Sequence, residues 1–259
     1  AKDANGNAQQ DYTPVSPTTL TFTPSNWNTA QTVTVTGVDD TITDGDIAYS
    51  AVIGAASSTD KLYNGINPAD VSLKNIDDDI FGIAVSAPSG KTTTEAGGKV
   101  TFTVKLLSKP TANVTIPISS SVTTEGTVST SQLTFTSTNW NTEQTVTVTG
   151  VNDNIDDGDK AYTVVIGASS STDAKYKGIN PDDIALTNLD DDTAGITVSA
   201  PSATKTTEAG GKVTFTVKLD SQPTANVTIP ISSGDTTEGS VSVSSLTFTS
   251  TNWNTAQTV

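Results

Sequence analysis

In the stretch KVTFTVKL, Lys99–Leu106, apolar and polar residues alternate without a break. Val100, Phe102, Val104 and Leu106 fall on one side, and Thr101, Thr103 and Lys105 on the other. A period of two is the mark of a strand with one buried face. The alternation continues through NVTIPI from Asn113, QLTFTS from Gln132, QTVTVTGV from Gln144, KAYTVVIGA from Lys160 and DIALTNL from Asp183. GIAVSA from Gly82 precedes them, and Gly, Pro, Asn, Asp and Ser separate them. No helical periodicity competes. The pattern predicts an all-β fold of about seven short strands in about 110 residues, an antiparallel immunoglobulin-like sandwich.

The pattern also repeats. Trp27, Trp140 and Trp253 are each 113 residues apart, as are Glu95 and Glu208, and the runs Asp77–Asp79 and Asp190–Asp192. Positions 19–38 and 132–151 share 16 of 20 residues. Division after each triple aspartate makes residues 80–192 one complete repeat, 1–79 the last part of a repeat before it, and 193–259 the first part of one after it. A unit of this length can bury its own core, unlike the short units of a solenoid. The expected organisation is a string of β-sandwich beads, taken from a longer array. Each tryptophan follows a Ser/Thr-Asn turn and precedes a strand, which suits a plug at the rim of the core better than a sugar-stacking platform.

Composition narrows the chemistry. The 259 residues include 49 threonines, 28 acids and 13 lysines, with no Arg, His, Cys or Met. Histidine bases, thiol nucleophiles, disulfides and the usual zinc sites are excluded. A net charge of −15 without arginine argues against a nucleic-acid partner. No apolar run is long enough to span a membrane. Nothing sets one acid apart from another as a catalytic pair, so enzymatic activity is not expected.

The acids are concentrated. Eighteen of the 28 fall at repeated places: Asp39, Asp40, Asp44, Asp46, Asp77, Asp78 and Asp79; Asp153, Asp156, Asp157, Asp159, Asp190, Asp191 and Asp192; and Glu95, Glu125, Glu208 and Glu238. Like charges about 4 Å apart repel by roughly 4 kcal/mol at an effective dielectric near 20. Carboxylates crowded in loops therefore favour a cation, and Ca2+ accepts six to eight hard oxygens. An EF-hand is excluded, because a loop begun at Asp153 puts Ile155 at the second ligand position and Val164 at the last.

The order of these parts, TTTEAGGKVTFTVKLLSKPTANVTI, then LTFTSTNWNTEQTVTVTGVNDNIDDGDKAYTVVI, then a closing DDD, resembles a Calx-beta domain. The resemblance covers nearly the whole chain and extends to AKDANGNAQQDYTPVSPTTLTF at its start. It implies calcium ligands at a glutamate near the first strand (Glu95, Glu208) and at an acid before the fourth (Asp11). Glu125 and Glu238 lie one position off that alignment. It implies further ligands in the loop after the fifth strand (Asp39, Asp40, Asp44, Asp46; Asp153, Asp156, Asp157, Asp159) and at the unit's end (Asp77–Asp79; Asp190–Asp192). Asn152 stands where the first unit has Asp39, and the family's EGDE run appears as DGDI and DGDK, with fewer acids.

The function expected is a calcium-stiffened spacer in a large extracellular adhesin of a bacterial cell surface. Its partners would be neighbouring repeats of the same chain, with copies of itself as a second class. The alternatives are a self-assembling filament, and a calcium-dependent glycan- or protein-binding module. The last would need exposed aromatics beside the acids, for which Tyr49, Tyr63, Tyr162 and Tyr176 come into question.

Overall fold

The computed structural model describes residues 15–259. Asp11 lies outside the described residues. In chain order the strands are β1 (Ile47–Ala51) and β2 (Val71–Asn75) in the first unit. The central repeat holds β3 (Ile83–Val85), β4 (Thr92–Thr94), β5 (Lys99–Leu106), β6 (Val114–Ser120), β7 (Gly126–Val128), β8 (Gln132–Phe135), β9 (Gln144–Gly150), β10 (Lys160–Ile166) and β11 (Ile184–Leu189). The third unit holds β12 (Ile196–Val198), β13 (Thr216–Leu219), β14 (Val227–Pro230), β15 (Ser245–Phe248) and β16 (Gln257–Thr258).

The central repeat is a two-layer sandwich. One sheet runs β3-β5-β9-β7 and the other β4-β11-β10-β6-β8. The alternating stretches dictate this directly. Val100, Phe102, Val104 and Leu106 are at most 1% exposed and face Val114, Ile116, Phe135, Val146, Val148, Val164 and Ile166 across a dry interior. Trp140 packs half-buried against this core, and its carbonyl accepts the Leu106 N–H at 2.9 Å, as expected of a rim plug.

Two strands lie outside the predicted seven. β4 and β7 are three residues each. β7 pairs antiparallel with β9. β4 runs parallel to β11, with Thr92 opposite Thr187 and Thr94 opposite Leu189, so the second sheet is mixed and the purely antiparallel expectation is corrected there.

The flanking units repeat parts of this frame. The β1–β2 register, Ile47↔Asn75 to Ala51↔Val71, matches β10–β11, Lys160↔Asn188 to Val164↔Ile184, at the 113-residue offset. In the third unit Val217, Leu219, Leu246, Phe248 and Val259 form a small second core, with Trp253 packed against it.

Candidate metal centre

The short strand β4 positions the first acid. Its sequence, Thr92-Thr93-Thr94, has no apolar face, yet Thr93 is fully buried. Its hydroxyl donates to Asn188 Oδ1 at 3.0 Å and shares a 3.0 Å hydrogen bond with the Tyr162 hydroxyl. Pairing with β11 then carries Glu95 alongside Asp190, and the Glu95 N–H donates to the Leu189 carbonyl at 3.0 Å. β9 passes close behind. A Cβ at Gly150 would lie 2.2 Å from the Thr94 carbonyl oxygen, so glycine is required there.

Asp190 is held as an anion. Its Oδ1 accepts the Asp192 N–H at 2.9 Å, and its Oδ2 accepts the N–H groups of Gly158 at 2.6 Å and Asp157 at 3.0 Å. These bonds, that from Asp192 foremost and then that from Gly158, draw its pKa down. Glu95 behaves in the opposite way. Burial first, then the charges of Asp153, Asp190, Asp192 and Asp191, push its pKa up to about 7. Asp192 is raised for the same leading reason, burial, followed by Asp190 and Asp191. Glu95 Oε2 and Asp192 Oδ2 are buried with no hydrogen-bond partner. Glu95, Asp190 and Asp192 each present an oxygen within 4.8 Å of the others.

A second group lies nearby: Glu125, Asp153 and Asp157, again with oxygens within 4.8 Å of one another. Glu125 sits just before β7 and is 8% exposed. Its carbonyl accepts the Val151 N–H at 3.0 Å, and Gly126 behind it leaves room only for the Tyr162 ring. Asp153 Oδ1 accepts the Ile155 N–H at 2.7 Å, and Asp157 pairs with Lys160 at 3.3 Å. Asn188 joins the two groups. Its Oδ1 takes the Thr93 bond, while its Nδ2 donates to the Val151 carbonyl at 2.9 Å and to Glu125 Oε2 at 3.5 Å. The sequence reading did not name Thr93 or Asn188. An asparagine two residues before each triple aspartate, Asn75 and Asn188, was the available signal.

The remaining acids are placed otherwise. Asp159 accepts the Asp190 N–H at 3.2 Å, Asp156 accepts the Ala194 N–H at 2.7 Å, and Asp191 is exposed. In the first unit Asp77 accepts the N–H groups of Gly45 and Asp79, and its own N–H donates to Asp46 at 3.3 Å. Asp77 is drawn down, chiefly by the Gly45 bond, while Asp79 is pushed up by burial and then by Asp40 and Asp77. Asp40 accepts the Ile42 N–H, and Asp39, Asp44 and Asp78 are exposed. These acids line an open cleft of about 380 Å³ together with Gly37 and Asn75. Glu208 and Glu238 are exposed in the third unit. Among the described residues, groups of three converging carboxylates form only in the central repeat. Tyr162 and Tyr176 are buried, at 4% and 0% exposure, so they belong to the core and not to a binding face.

The donor set suits a hard cation. All six converging groups are carboxylates, and two of their oxygens are buried with nothing to bond. A buried polar atom left without a partner costs about 1–3 kcal/mol, more when charged. A divalent ion among them would satisfy both oxygens and offset the repulsion that raises Glu95 and Asp192.

No curated protein matches the chain. Among solved structures, WR4, a C. elegans MSP family member, aligns at 8% identity and a TM-score of 0.26, over 43% of this chain and 97% of that one. Domains 4–9 of the surface layer protein SbsC align at 14% identity and a TM-score of 0.28, over 90% of this chain. The chain spans 37% of that structure's length. Neither likeness is strong enough to argue from. The Calx-beta domain profile matches residues 1–80 and 77–193, most of the chain, and covers both acidic loops and both triple aspartates. The chain belongs to the Calx-beta family.

Proposed function

We propose that this chain is a calcium-binding spacer of an extracellular surface protein or adhesin, built from 113-residue beads and stiffened where one bead meets the next. The carrying observation is the pair of buried, partnerless oxygens, Glu95 Oε2 and Asp192 Oδ2, in one cluster of carboxylates. Glu95, Asp190 and Asp192 would hold one ion, and Glu125, Asp153 and Asp157 a second. The ion supplies positive charge to a site that otherwise carries uncompensated negative charge. The chain's own residues fix where that charge is needed: Thr93 and Asn188 by hydrogen bonding, β4 by its register. Both groups lie at the end of the repeat from which the chain leaves through Asp190–Asp192, so occupancy bears on the linker. The role is mechanical and not catalytic. Buried Tyr162 and Tyr176 leave the central repeat without the aromatic face that a glycan-gripping module would use. Among the described residues no helix is long and apolar enough to cross a membrane.

Calorimetry of the whole chain in calcium and in chelator tests the reading. An ion held a hundredfold below its working concentration stabilises by about 2.7 kcal/mol. For a unit of this size the main transition is expected to rise by about 10 °C. A transition that stays in place from chelator to calcium sinks the calcium reading.

A further inference from the structure

The unit boundaries carry one hydrogen bond twice. In the first unit the Thr41 carbonyl accepts the N–H of Lys109, in the central repeat, at 2.7 Å. In the central repeat the Asn154 carbonyl accepts the N–H of Gln222, in the third unit, at 2.6 Å. Both partners shift by 113 residues, so the two boundaries make the same contact. The side chains at these positions differ, threonine against asparagine and lysine against glutamine, so the main chain makes the contact.

Local sequence explains both ends. Thr41 and Asn154 stand in the middle of Asx turns, in which Asp40 accepts the Ile42 N–H and Asp153 the Ile155 N–H, each at 2.7 Å. Such a turn leaves the middle carbonyl outside the local hydrogen bond. Lys109 and Gln222 each precede a proline, Pro110 and Pro223, which biases them to an extended conformation. The preceding Ser108 and Ser221 are buried, at 1% and 7% exposure, and anchor that dipeptide. Tyr176 grips Ser108 further, donating its hydroxyl to the Ser108 carbonyl at 2.6 Å. Each boundary then adds its own fastening. Thr43 Oγ1 donates to Ser108 Oγ at 3.0 Å at the first, and the Ala194 N–H donates to Asp156 at 2.7 Å at the second.

We infer that each repeat docks the next through the main-chain carbonyl at the tip of its acidic loop, seated on the N–H of a Ser-x-Pro segment. The partner this surface fits is any following repeat of this kind, whatever the side chain at x. Asp153 is the positioning residue, because one of its oxygens holds the turn while the side chain belongs to the second carboxylate group. An ion in that group would thereby set the angle between repeats. This last step rests on the calcium reading above, and the docking contact does not.

The chain has no cysteine of its own, so a spin-label pair can be placed without background. Exposed Lys177 in the central repeat and exposed Ser240 in the third unit serve as sites, Lys177→Cys with Ser240→Cys. Pulsed electron–electron distances are then read for the full chain with Gln222, with Gln222→Ala and with Gln222→Pro. Gln222→Ala keeps the N–H and is expected to give the same single narrow distance in calcium. Gln222→Pro removes only the donor and is expected to lower the docked-to-undocked ratio about fivefold, the weight of one main-chain hydrogen bond. A proline variant as narrow as the parent overturns the docking contact, and so does an alanine variant as broad as proline. Narrow distances that persist in chelator uphold docking and overturn its coupling to the ion through Asp153. Broad distances in every variant overturn docking, even where calcium still raises the melting transition.

Discussion

Asn75-Ile76-Asp77-Asp78-Asp79 and Asn188-Leu189-Asp190-Asp191-Asp192 are nearly the same sequence in two settings. Both fold alike locally. The first aspartate accepts the N–H of the third at 3.0 Å in one and 2.9 Å in the other, and the asparagine reaches the carbonyl of Val38 or Val151 at 2.9 Å in both. In both, the third aspartate is pushed up by burial and by its acidic neighbours. They differ in what lies alongside. The central run has β4 in parallel beside it, bringing a glutamate that is 4% exposed. The first run faces an open cleft. An acidic cluster by itself is stabilised by local N–H groups and by water. Only the crossing strand, by burying a carboxylate against the cluster, creates a charge that water cannot reach.

The comparison can be broken most severely at the glycines beneath the two runs. Gly150→Ala would drive a methyl into the Thr94 carbonyl and Asn188, and is expected to cost the central repeat at least about 3 kcal/mol in urea unfolding. Its counterpart Gly37→Ala meets only the mobile end of the Asn75 side chain and is expected to cost under about 1 kcal/mol. Equal costs would show that β4 does not cross where described.

Next comes the buried glutamate. Its folded pKa of about 7 stands above the ordinary 4.5. Without metal, the stability that its proton confers is complete below the unfolded value and is lost as pH rises through about 7. Urea midpoints in chelator should therefore fall between about pH 5 and pH 8, by roughly 2–3 kcal/mol. Glu95→Gln should flatten that slope and reduce the calcium increment, while exposed Glu208→Gln leaves both unchanged. A slope that survives Glu95→Gln would assign the titration elsewhere.

A smaller effect is expected from Tyr162→Phe, which removes the hydroxyl shared with Thr93 and should cost about 1 kcal/mol in the same unfolding assay. The smallest belongs to Lys160→Ala. Its pair with Asp157 is 3.3 Å long and largely open to solvent, so the change should stay within about 0.5 kcal/mol and shrink with salt.

Seven of the central repeat's strands were legible as alternation, because each buries one face and the hydrophobic effect writes period two into such segments. The two that were missed, β4 and β7, are those that place Glu95 and Glu125. β4 carries three threonines, and Thr93 is inside only because Tyr162 and Asn188 supply its bonds. β7 has three residues, too few to show a period. Glu95 entered through family resemblance alone, and Asn188 was not singled out at all. Tyr176, weighed as a binding aromatic, is fully buried, because its hydroxyl finds Ser108 within the core.

By itself the sequence determined the strand faces, the 113-residue period and the concentration of acids in loops. Those features depend on neighbours a few residues apart or on copying of a unit. Which carboxylates converge was decided only in three dimensions. Glu95 meets Asp190 and Asp192 across a parallel pairing between distant segments, and Glu125 meets Asp153 and Asp157 across the β7–β9 edge. Repulsion and burial act over a few ångströms, and no spacing along the chain reports that distance.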